Sequence, residues 1–462
     1  MTRPIKCASS VRSIPRAAMP LLMAVALLLA GALPAGSSAA STKPGGGPFE
    51  INVTHGLGAG EPELAIDPVH HTLVIAFDYS NPSDGGSSCG IATSADSGNS
   101  WQLRLTHPAD PGPTQGDPYH QCSDPTAATG PRGTVYVGAG WWDQPGGAID
   151  YYNMYVSRST DGGFAWGPSV FATGDNDLLV NLLLGKNSGH TDREFLTVDN
   201  QTGTLYASAA DFPRLRRWIV ASHDQGRTFG SPHAIDSVDA PELPNDYIPA
   251  AANGVLAVSY LAAGSAASCP CRPIFETSRD DGVTWTRHSA PAPAQWTAAD
   301  PSHPGRFAIL SGEGFSDASL TPDVLVVSVT SDYGRTWSKP VRIGQAPPNQ
   351  RYEPWINYSP TGVLGVGYKT EYGATCQPIA GCRGGSYDFW AAISPDGGRR
   401  FSPPIRISHA VSSAEPSGGD DFSFVALGER YLYATWADMR KSPNSSAAGD
   451  RTLYFARIPL NR

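Results

Sequence analysis

The densest group of reactive side chains is the run His190-Thr191-Asp192-Arg193-Glu194, which holds a titratable base, two carboxylates and a cation. If His190 or Asp192 faced a substrate, it could act as a general acid or base near neutral pH. Arg193 could then hold a substrate carboxylate. Because alternate residues of a strand share a face, residues 190, 192 and 194 are predicted to point one way and Arg193 the other.

A second group is Arg351-Tyr352-Glu353, followed by an aromatic residue at Trp355. A Tyr beside a carboxylate base is a candidate nucleophile, and Glu353 is the candidate base. The alternative is a Tyr packed at the edge of a sheet beside an ordinary ion pair. Both interpretations remain open from the sequence.

Polar residues also precede other apolar runs. They are Glu61 and Glu63; His120, Cys122 and Asp124; Asp246 and Tyr247; and Asp420 and Asp421. Convergent polar groups suit a carbohydrate, and Trp141, Trp142, Trp296 and Trp355 could stack on sugar faces. The alternative is a solvated rim whose carboxylates accept hydrogen bonds from neighbouring backbone amides and tie adjacent sheets together.

The elements that must position these residues are repeats. The pattern Ser-x-Asp-x-Gly-x-x-Trp occurs six times at intervals of 52 to 65 residues, with Thr330 in place of one Ser and Phe229 and Phe401 in place of two Trp. Its Asp residues are Asp96, Asp161, Asp224, Asp280, Asp332 and Asp396. Asp and Ser can cap backbone amides, and Gly permits a left-handed residue, so the motif is typical of a turn between paired strands. A fixed period of this size indicates one repeated supersecondary unit.

A strand-turn-strand unit precedes each motif, and a seventh follows the last one at Phe422 to Leu427 and Tyr431 to Trp436. The stretch Thr452 to Ile458 would add a third strand to this last unit. The N-terminal strand Phe49 to Val53 is the spare piece that could complete it.

The six motifs resemble the Asp box of the sialidase superfamily of β-propellers, from the first unit almost to the C-terminus. The resemblance implies an all-β fold: a single β-propeller of four-stranded antiparallel blades, closed by the N-terminal strand. Seven blades are favoured, and six are the alternative because the best-known enzymes of the superfamily have six. In that family the box lies on the outer part of each blade, away from the ligand-binding face.

Catalytic sialidases hold the sugar carboxylate with three Arg, the first in a Phe/Tyr-Arg-Ile-Pro motif near the N-terminus, and use a Tyr beside a carboxylate as nucleophile. Residues 49–66 contain no Arg, and Phe455-Ala456-Arg457-Ile458-Pro459 carries an extra Ala at the opposite end of the chain. The candidates to replace these three substrate-binding arginines are Arg193, Arg351 and Arg440. The chain therefore looks more like the broader group of exported sialidase-like propellers than like a true sialidase.

The first 40 residues predict export. Four basic residues and no acid precede the apolar run Met19 to Leu33, which is followed by Ser38-Ala39-Ala40, as in a secretory signal peptide. Residues 41–48 would be a flexible leader and residues 49–462 the propeller. Removing the signal moves the formal charge from −9 to −13, which argues against nucleic acid or anionic membrane as a partner. The mature protein is expected to be secreted, without a membrane span, and monomeric.

Six Cys remain after the signal peptide, which suits disulfides in an oxidising compartment. Cys89 with Cys122 could link neighbouring blades, and Cys376 with Cys382 could close a local loop. Cys269 and Cys271 are too close for an ordinary bridge. Free buried thiols are the alternative.

No cofactor is expected. The stretches Asp175-Asn176-Asp177 and Asp420-Asp421 offer oxygen ligands for Ca²⁺ but match no EF-hand loop. Two functions follow as hypotheses. The first is a secreted sialidase-like glycosidase or lyase that acts on glycans, acidic ones included, at the channel mouth. The second is a non-catalytic propeller that binds glycan or protein. For the enzyme, the predicted catalytic residues are His190, Asp192, Glu194, Tyr352 and Glu353. The predicted substrate-binding residues are Arg193, Arg351, Arg440, Asp246, Tyr247 and Trp355.

Overall fold

The strands form seven antiparallel blades around a channel, each built on four strands, and blade 6 has one additional short strand. The computed structural model describes residues 48–80, 87–112, 120–143, 151–172, 191–211, 216–235, 248–262, 272–292, 294–313, 324–343, 351–372, 375–377, 381–383, 386–413, 423–440 and 451–460. These ranges contain no α-helix. No helix that is long and apolar enough to span a membrane occurs in this part of the chain.

The blades follow one another along the chain. The N-terminus supplies β1 (Phe49–Asn52). Blade 1 contains β2 (Ala59–Ile66), β3 (Leu73–Ser80), β4 (Ser87–Ser94) and β5 (Gln102–Arg104). Blade 2 contains β6 (Gln121–Thr129), β7 (Val135–Asp143), β8 (Tyr151–Ser159) and β9 (Val170–Phe171). Blade 3 contains β10 (Thr191–Val198), β11 (Leu205–Asp211), β12 (Arg216–Ser222) and β13 (His233–Ala234).

Blade 4 contains β14 (Ala250–Ala252), β15 (Val255–Ala262), β16 (Arg272–Ser278) and β17 (Thr286–Ser289). Blade 5 contains β18 (Ala294–Ala299), β19 (Phe307–Glu313), β20 (Val324–Thr330) and β21 (Val341–Arg342). Blade 6 begins with β22 (Arg351–Tyr358) and β23 (Leu364–Tyr372), followed by a separate hairpin of β24 (Thr375–Gln377) and β25 (Gly381–Arg383). It is completed by β26 (Ser386–Ser394), β27 (Ile405–Arg406) and β28 (Ser412–Ser413), both of which pair with β26.

Blade 7 joins the two ends of the chain. Its strands β29 (Ser423–Leu427), β30 (Tyr431–Asp438) and β31 (Thr452–Pro459) come from the C-terminus, and β1 pairs antiparallel with β31. The predicted all-β propeller with seven blades, closed by the N-terminal strand, is therefore confirmed. Closing the ring in this way leaves no unpaired inner or outer strand in blade 7.

The six Asp motifs lie at equivalent positions, between the third and fourth strands of blades 1 to 6. In blade 1 the Ser94 hydroxyl donates to Asp96 Oδ1 (2.8 Å) and accepts from Gly98 N (2.9 Å), while Ser100 N donates to the same Asp96 oxygen (2.9 Å). The same three bonds recur in the other five copies. One local hydrogen-bond pattern thus shapes every turn.

The motif glycines also join neighbouring blades. Gly282 of blade 4 has φ +88, and a Cβ there would lie 2.8 Å from Ile219 of blade 3. A Cβ on Gly98 of blade 1 would overlap the ring of Phe455 in blade 7. The motif Trp101 packs on that same ring, with centroids 5.0 Å apart. Gly is needed at this position both for its backbone angle and for the close approach of the preceding blade.

One disulfide joins two blades. Cys89 of β4 is bonded to Cys122 of β6, which confirms the predicted link between blades 1 and 2. Cys376 and Cys382 lie opposite each other in the register of β24 and β25. Cys269 and Cys271 lie outside the described residues, as do the predicted signal peptide and leader up to residue 47.

Candidate ligand site at the channel mouth

The inner strands of the blades all begin at one end of the channel, which we call the mouth. Adjacent inner strands contact one another around the ring, from β2 and β6 to β22, β29 and back to β2. The mouth is where the sequence placed the candidate site, because loops that enter the inner strands of a propeller surround the channel opening.

Five inner strands carry a bulge at their mouth end, and the one in β18 lies between Ala294 and Trp296. The register shifts between Gly60 and Glu63 in β2, Ser123 and Thr126 in β6, Asp192 and Phe195 in β10, and Tyr352 and Trp355 in β22. In β10, Arg193 and Glu194 together lie opposite the single residue Ala209. The alternation predicted for residues 190 to 194 is therefore wrong, because a bulge adds a residue and breaks the two-residue period.

The first residue inside three of these bulges is left-handed although it is not Gly. The φ angles are +45 at Glu61, +46 at Asp124 and +58 at Arg193. Such angles are strained for residues with a Cβ and persist where surrounding contacts hold them. Each of these residues is indeed held by the neighbouring blade.

Carboxylates at the mouth connect successive blades. Glu61 Oε2 accepts from Asp124 N at 3.2 Å, and Asp124 Oδ2 accepts from Arg193 N at 3.0 Å, so the bulges of blades 1, 2 and 3 are linked in series. One layer deeper, Glu63 Oε2 accepts from Ala127 N at 3.1 Å. The interpretation of these acids as ties between blades is confirmed for Glu61, Glu63 and Asp124.

Glu63 is an acid at the mouth whose titration is strongly perturbed. Burial raises the pKa of its carboxyl to about 8, against hydrogen bonds from Thr126 and from the Ala127 amide that lower it. Its side chain is therefore protonated at neutral pH. Glu63 occupies the same position in its bulge as Thr126, Phe195 and Trp355 do in theirs.

Arg217 of β12 holds the bulge of blade 3 from below. Its Nη1 donates to the Arg193 carbonyl at 2.9 Å, and its guanidinium carbon lies 5.3 Å from the centre of the Phe195 ring. Arg217 is only 1% exposed. The backbone of Arg193 is thus held on both sides, because its N–H donates to Asp124 and its carbonyl accepts from Arg217. Sequence reasoning missed Arg217, although a cation beside the apolar run Trp218-Ile219-Val220 was a usable signal.

Aromatic side chains close the channel beneath the mouth. The Phe195 and Trp355 rings lie 5.9 Å apart between centroids, and Trp355 lies 4.3 Å from Phe424. Trp296 and Ile248 belong to the same buried cluster. We call these five residues the plug. Trp355 was expected to stack on a sugar, but it is 7% exposed and packs on Phe195 and Phe424, so it forms part of the floor. Trp141 is also buried, and it stacks on the His120 ring at 5.0 Å.

The plug brings the two candidate runs together. Phe195 directly follows Glu194, and Trp355 lies two residues after Glu353, so the two runs end on opposite sides of one ring contact. The backbones of Asp192 and Tyr352 lie in strands, paired with Ala210 and Lys369. The side chains of Asp192, Arg351, Tyr352 and Glu353 lie outside the described structure, as do the whole of His190, Asp246 and Tyr247.

Two of the predicted site residues have other surroundings than expected. Glu194 is 1% exposed and lies beneath the surface. Arg440 donates from Nη1 and Nη2 to the two Glu50 oxygens at 3.0 and 2.7 Å, and from Nη2 to Asp438 Oδ2 at 2.6 Å. Burial would lower the pKa of Arg440, but its bonds to Asp438 and Glu50 outweigh burial and raise it. Arg440 therefore fastens β1 into blade 7 and is not placed to hold a substrate carboxylate.

Two further residues near the mouth, Lys369 and Asp110, were not singled out from the sequence. Lys369 is 1% exposed, lies opposite Tyr352 in the register, and places Nζ 5.1 Å from the Tyr387 ring centre. His120 Nε2 lies 2.8 Å from Asp110 Oδ1, which makes a His-Asp pair on the connection from blade 1 to blade 2. Asp110 is far from any predicted strand, so nothing in the sequence marked it.

No group of three or more His, Cys, Asp or Glu is arranged to bind a metal ion among the residues with a described structure. The two stretches considered for Ca²⁺, residues 175–177 and 420–421, lie outside them.

Comparison with known proteins gives the following result. No family model matches the chain, and no curated protein matches it. Among solved structures, a Hadza microbial sialidase is 17% identical with a TM-score of 0.46, over 70% of this chain and 66% of that one. A Trypanosoma rangeli sialidase in complex with sialic acid is 14% identical with a TM-score of 0.47, over 90% of this chain and 57% of that one. A Dyadobacter fermentans protein of unknown function is 14% identical with a TM-score of 0.43, over 89% of this chain and 98% of that one.

The chain thus spans less than two thirds of the length of the two sialidases.

Proposed function

We propose that the protein is an exported carbohydrate-active enzyme that cleaves an acidic glycan at the mouth of the propeller. The observation that carries this proposal is the contact of Phe195 with Trp355, because each of these residues lies next in the sequence to one of the two predicted catalytic runs. Glycoside cleavage needs two catalytic groups flanking one bond, and two runs that meet across a channel can supply them. Export is proposed from the signal-peptide pattern of residues 1–40.

The roles follow from residue type and position. Asp192 or His190 would act as general acid or base on one side, and the Tyr352-Glu353 pair would act as nucleophile and base on the other. Arg193 and Arg351 would hold a carboxylate of the glycan. Glu194 is buried, so we give it a positioning role beneath Asp192 and Arg193.

The test is turnover of a panel of acidic glycans by the purified protein and by Asp192→Asn, Tyr352→Phe and Glu353→Gln. We expect release of sugar by the wild type, and a loss of about 10²-fold or more in each variant. The matched control is Glu429→Gln, an exposed acid on the turn of blade 7, which should keep full activity. No product from any glycan with folded protein would contradict the proposal.

A second candidate function is non-catalytic binding of glycan or protein. It is favoured by the use of Glu61, Glu63 and Asp124 as ties between blades, which removes three mouth carboxylates from substrate chemistry. Glycan-array binding without turnover, retained when Asp192, Glu194 and Glu353 are all replaced, would identify this function instead.

A further inference from the structure

A pocket lies on the face of the ring opposite the mouth, between blades 2 and 3. Its volume is about 260 Å³, and it is lined by the turn after β6, the turn after β10 and the Asp motif of blade 3. Its side chains include Arg132, Thr134, Tyr136, Thr202, His223 and Arg227. Pockets for drug-sized ligands measure about 300 to 1,000 Å³, so this one suits a smaller molecule.

The turn of blade 2 differs from the corresponding turns of three other blades. Blades 1, 3 and 5 have Asp67, Asp199 and Asp300 there, each buried, with a carboxylate that accepts backbone amides of its own turn. Blade 2 has Gly130 at this position, and Gly133 N donates instead to the Gly130 carbonyl at 3.1 Å. The blade 2 turn therefore lacks the anionic side chain and carries the exposed Arg132 at its tip.

The motif of blade 3 adds a second cation. Arg227 is exposed and lines the pocket, and its Nη1 donates to the Asp224 carbonyl at 2.7 Å. The Asp224 carboxylate is engaged within the turn. It accepts from Ser222 Oγ, Arg227 N, Thr228 N and Thr228 Oγ1. Two guanidinium groups thus border a pocket whose one acid is occupied by its own turn.

Polar side chains complete the lining. The His223 ring is held on both sides, with Nε2 3.0 Å from Asp281 Oδ2 and Nδ1 3.3 Å from Thr204 Oγ1. Thr134 and Thr202 add hydroxyl groups, and the buried Tyr136 forms the floor. Two cations beside hydroxyl groups match an oxyanion joined to a polar body.

We infer that this pocket is a second binding site, distinct from the mouth, for a small oxyanion of up to monosaccharide size such as a sugar carboxylate. The inference does not depend on activity at the mouth, because the two sites lie on opposite faces and share no residue. Arg132 and Arg227 supply the charge, and the hydroxyl groups bind the neutral part of the ligand.

The experiment is titration of the full-length mature protein with glucuronate, inorganic sulfate and glucose, followed by calorimetry or ligand-observed NMR. It is run on Arg193→Ala/Arg351→Ala as well as the wild type, so that binding at the mouth is removed. Glucuronate should bind both proteins equally and sulfate should compete with it, whereas glucose should not bind at the same concentration. Loss of binding in the mouth variant would place the ligand at the mouth and overturn the inference.

A matched pair of variants tests the residues. Arg227 and Arg335 occupy the same position in the motifs of blades 3 and 5, and both are exposed, but only Arg227 borders the pocket. Arg227→Ala and Arg132→Ala should each weaken glucuronate binding about tenfold or more, as loss of a charge-assisted hydrogen bond does. Arg335→Ala should leave it unchanged. Equal affinity in all three variants would show that the pocket is not the site.

Discussion

The rings of Phe195 and Trp355 meet 5.9 Å apart across the channel, although 160 residues separate them in the chain. Phe195 belongs to blade 3 and Trp355 to blade 6, so the contact crosses the ring instead of running around it. It both closes the channel and fixes the separation of the two runs proposed for catalysis. The predictions below start from this contact and from the contacts that hold it.

Removal of either plug ring should destabilise the protein. Phe195→Ala and Trp355→Ala each create a cavity among buried side chains and should lower the free energy of unfolding by about 3 to 5 kcal/mol. In the double variant we expect a coupling of about 0.5 to 1.5 kcal/mol beyond the two single effects, because the rings contact each other. Denaturant titration measures all three. Phe164→Ala, at a ring that is 47% exposed, should change stability by about 0.5 kcal/mol or less.

Glu63→Gln should alter the pH dependence of stability. The folded carboxyl has a pKa of about 8 against 4.5 for the unfolded chain, so the folded state binds more protons between these values. Its stabilising effect is complete below pH 4.5 and is lost as pH rises through 8, with a slope approaching about 1.4 kcal/mol per pH unit. Because Gln does not titrate, Glu63→Gln does not lose this stability as pH rises.

Urea titrations at pH 5, 7 and 9 should therefore show Glu63→Gln gaining on the wild type as pH rises. The surface variant Glu429→Gln should follow the wild type. Curves for Glu63→Gln that stay parallel to the wild type would mean that Glu63 is already ionised in the folded protein.

Arg217→Met should loosen the bulge of blade 3. It removes the bond to the Arg193 carbonyl and the cation above Phe195, and we expect a loss of about 1.5 to 3 kcal/mol in unfolding free energy. Amide exchange at Arg193 and Glu194 should quicken. Arg279→Met removes only an exposed cation–π contact with Tyr333 and should cost about 0.5 kcal/mol. Unchanged exchange in Arg217→Met would show that Asp124 alone fixes the bulge.

Arg440→Met should open the closure of the ring. The substitution leaves Glu50 and Asp438 buried without their guanidinium, at 5% and 0% side-chain exposure, and should cost about 3 to 5 kcal/mol. Faster exchange of the backbone amide hydrogens of β1 would be the specific sign that the ring has opened. Arg430→Met, at an exposed Arg whose carbonyl accepts from Leu460 N, should leave β1 protected. If both variants behave alike, the ion pairs do not hold the ring closed.

Gly98→Ala should be more harmful than Gly203→Ala. Both glycines are left-handed, with φ +86 and +75, so both variants acquire backbone strain of about 1 kcal/mol. A Cβ at Gly98 would also overlap the Phe455 ring, whereas nothing lies within 4 Å of the corresponding position at Gly203. In thermal unfolding, Gly98→Ala should have a clearly lower midpoint temperature than Gly203→Ala. Equal midpoints would mean that the Phe455 ring in blade 7 moves to accommodate the new methyl group.

The fold was predictable because its determinants are local and repeated. Ser94, Asp96 and Gly98 specify a turn by bonds within five residues, and six copies at a regular interval leave a ring of sheets as the arrangement. Counting strand pairs against motifs gave the seventh blade and the role of the N-terminal strand, predicted as Phe49 to Val53, in closing it. The sequence also offered a disulfide between Cys89 and Cys122 as a link between neighbouring blades, and the structure contains it.

The candidate site was predictable only as a region. Sequence alone determined which inner strands carry polar residues at their mouth ends, since that depends on where each repeat begins. It did not determine that Glu61 and Asp124 would face the next backbone, that Arg440 would bind Glu50, or that Trp355 would lie on Phe195. Those partners come from other blades or, for Glu50, from the opposite end of the chain, and only closure of the ring brings them into contact. The bulge in β10 was hidden for the same reason, because Asp124 of one blade and Arg217 of another strand hold it in place.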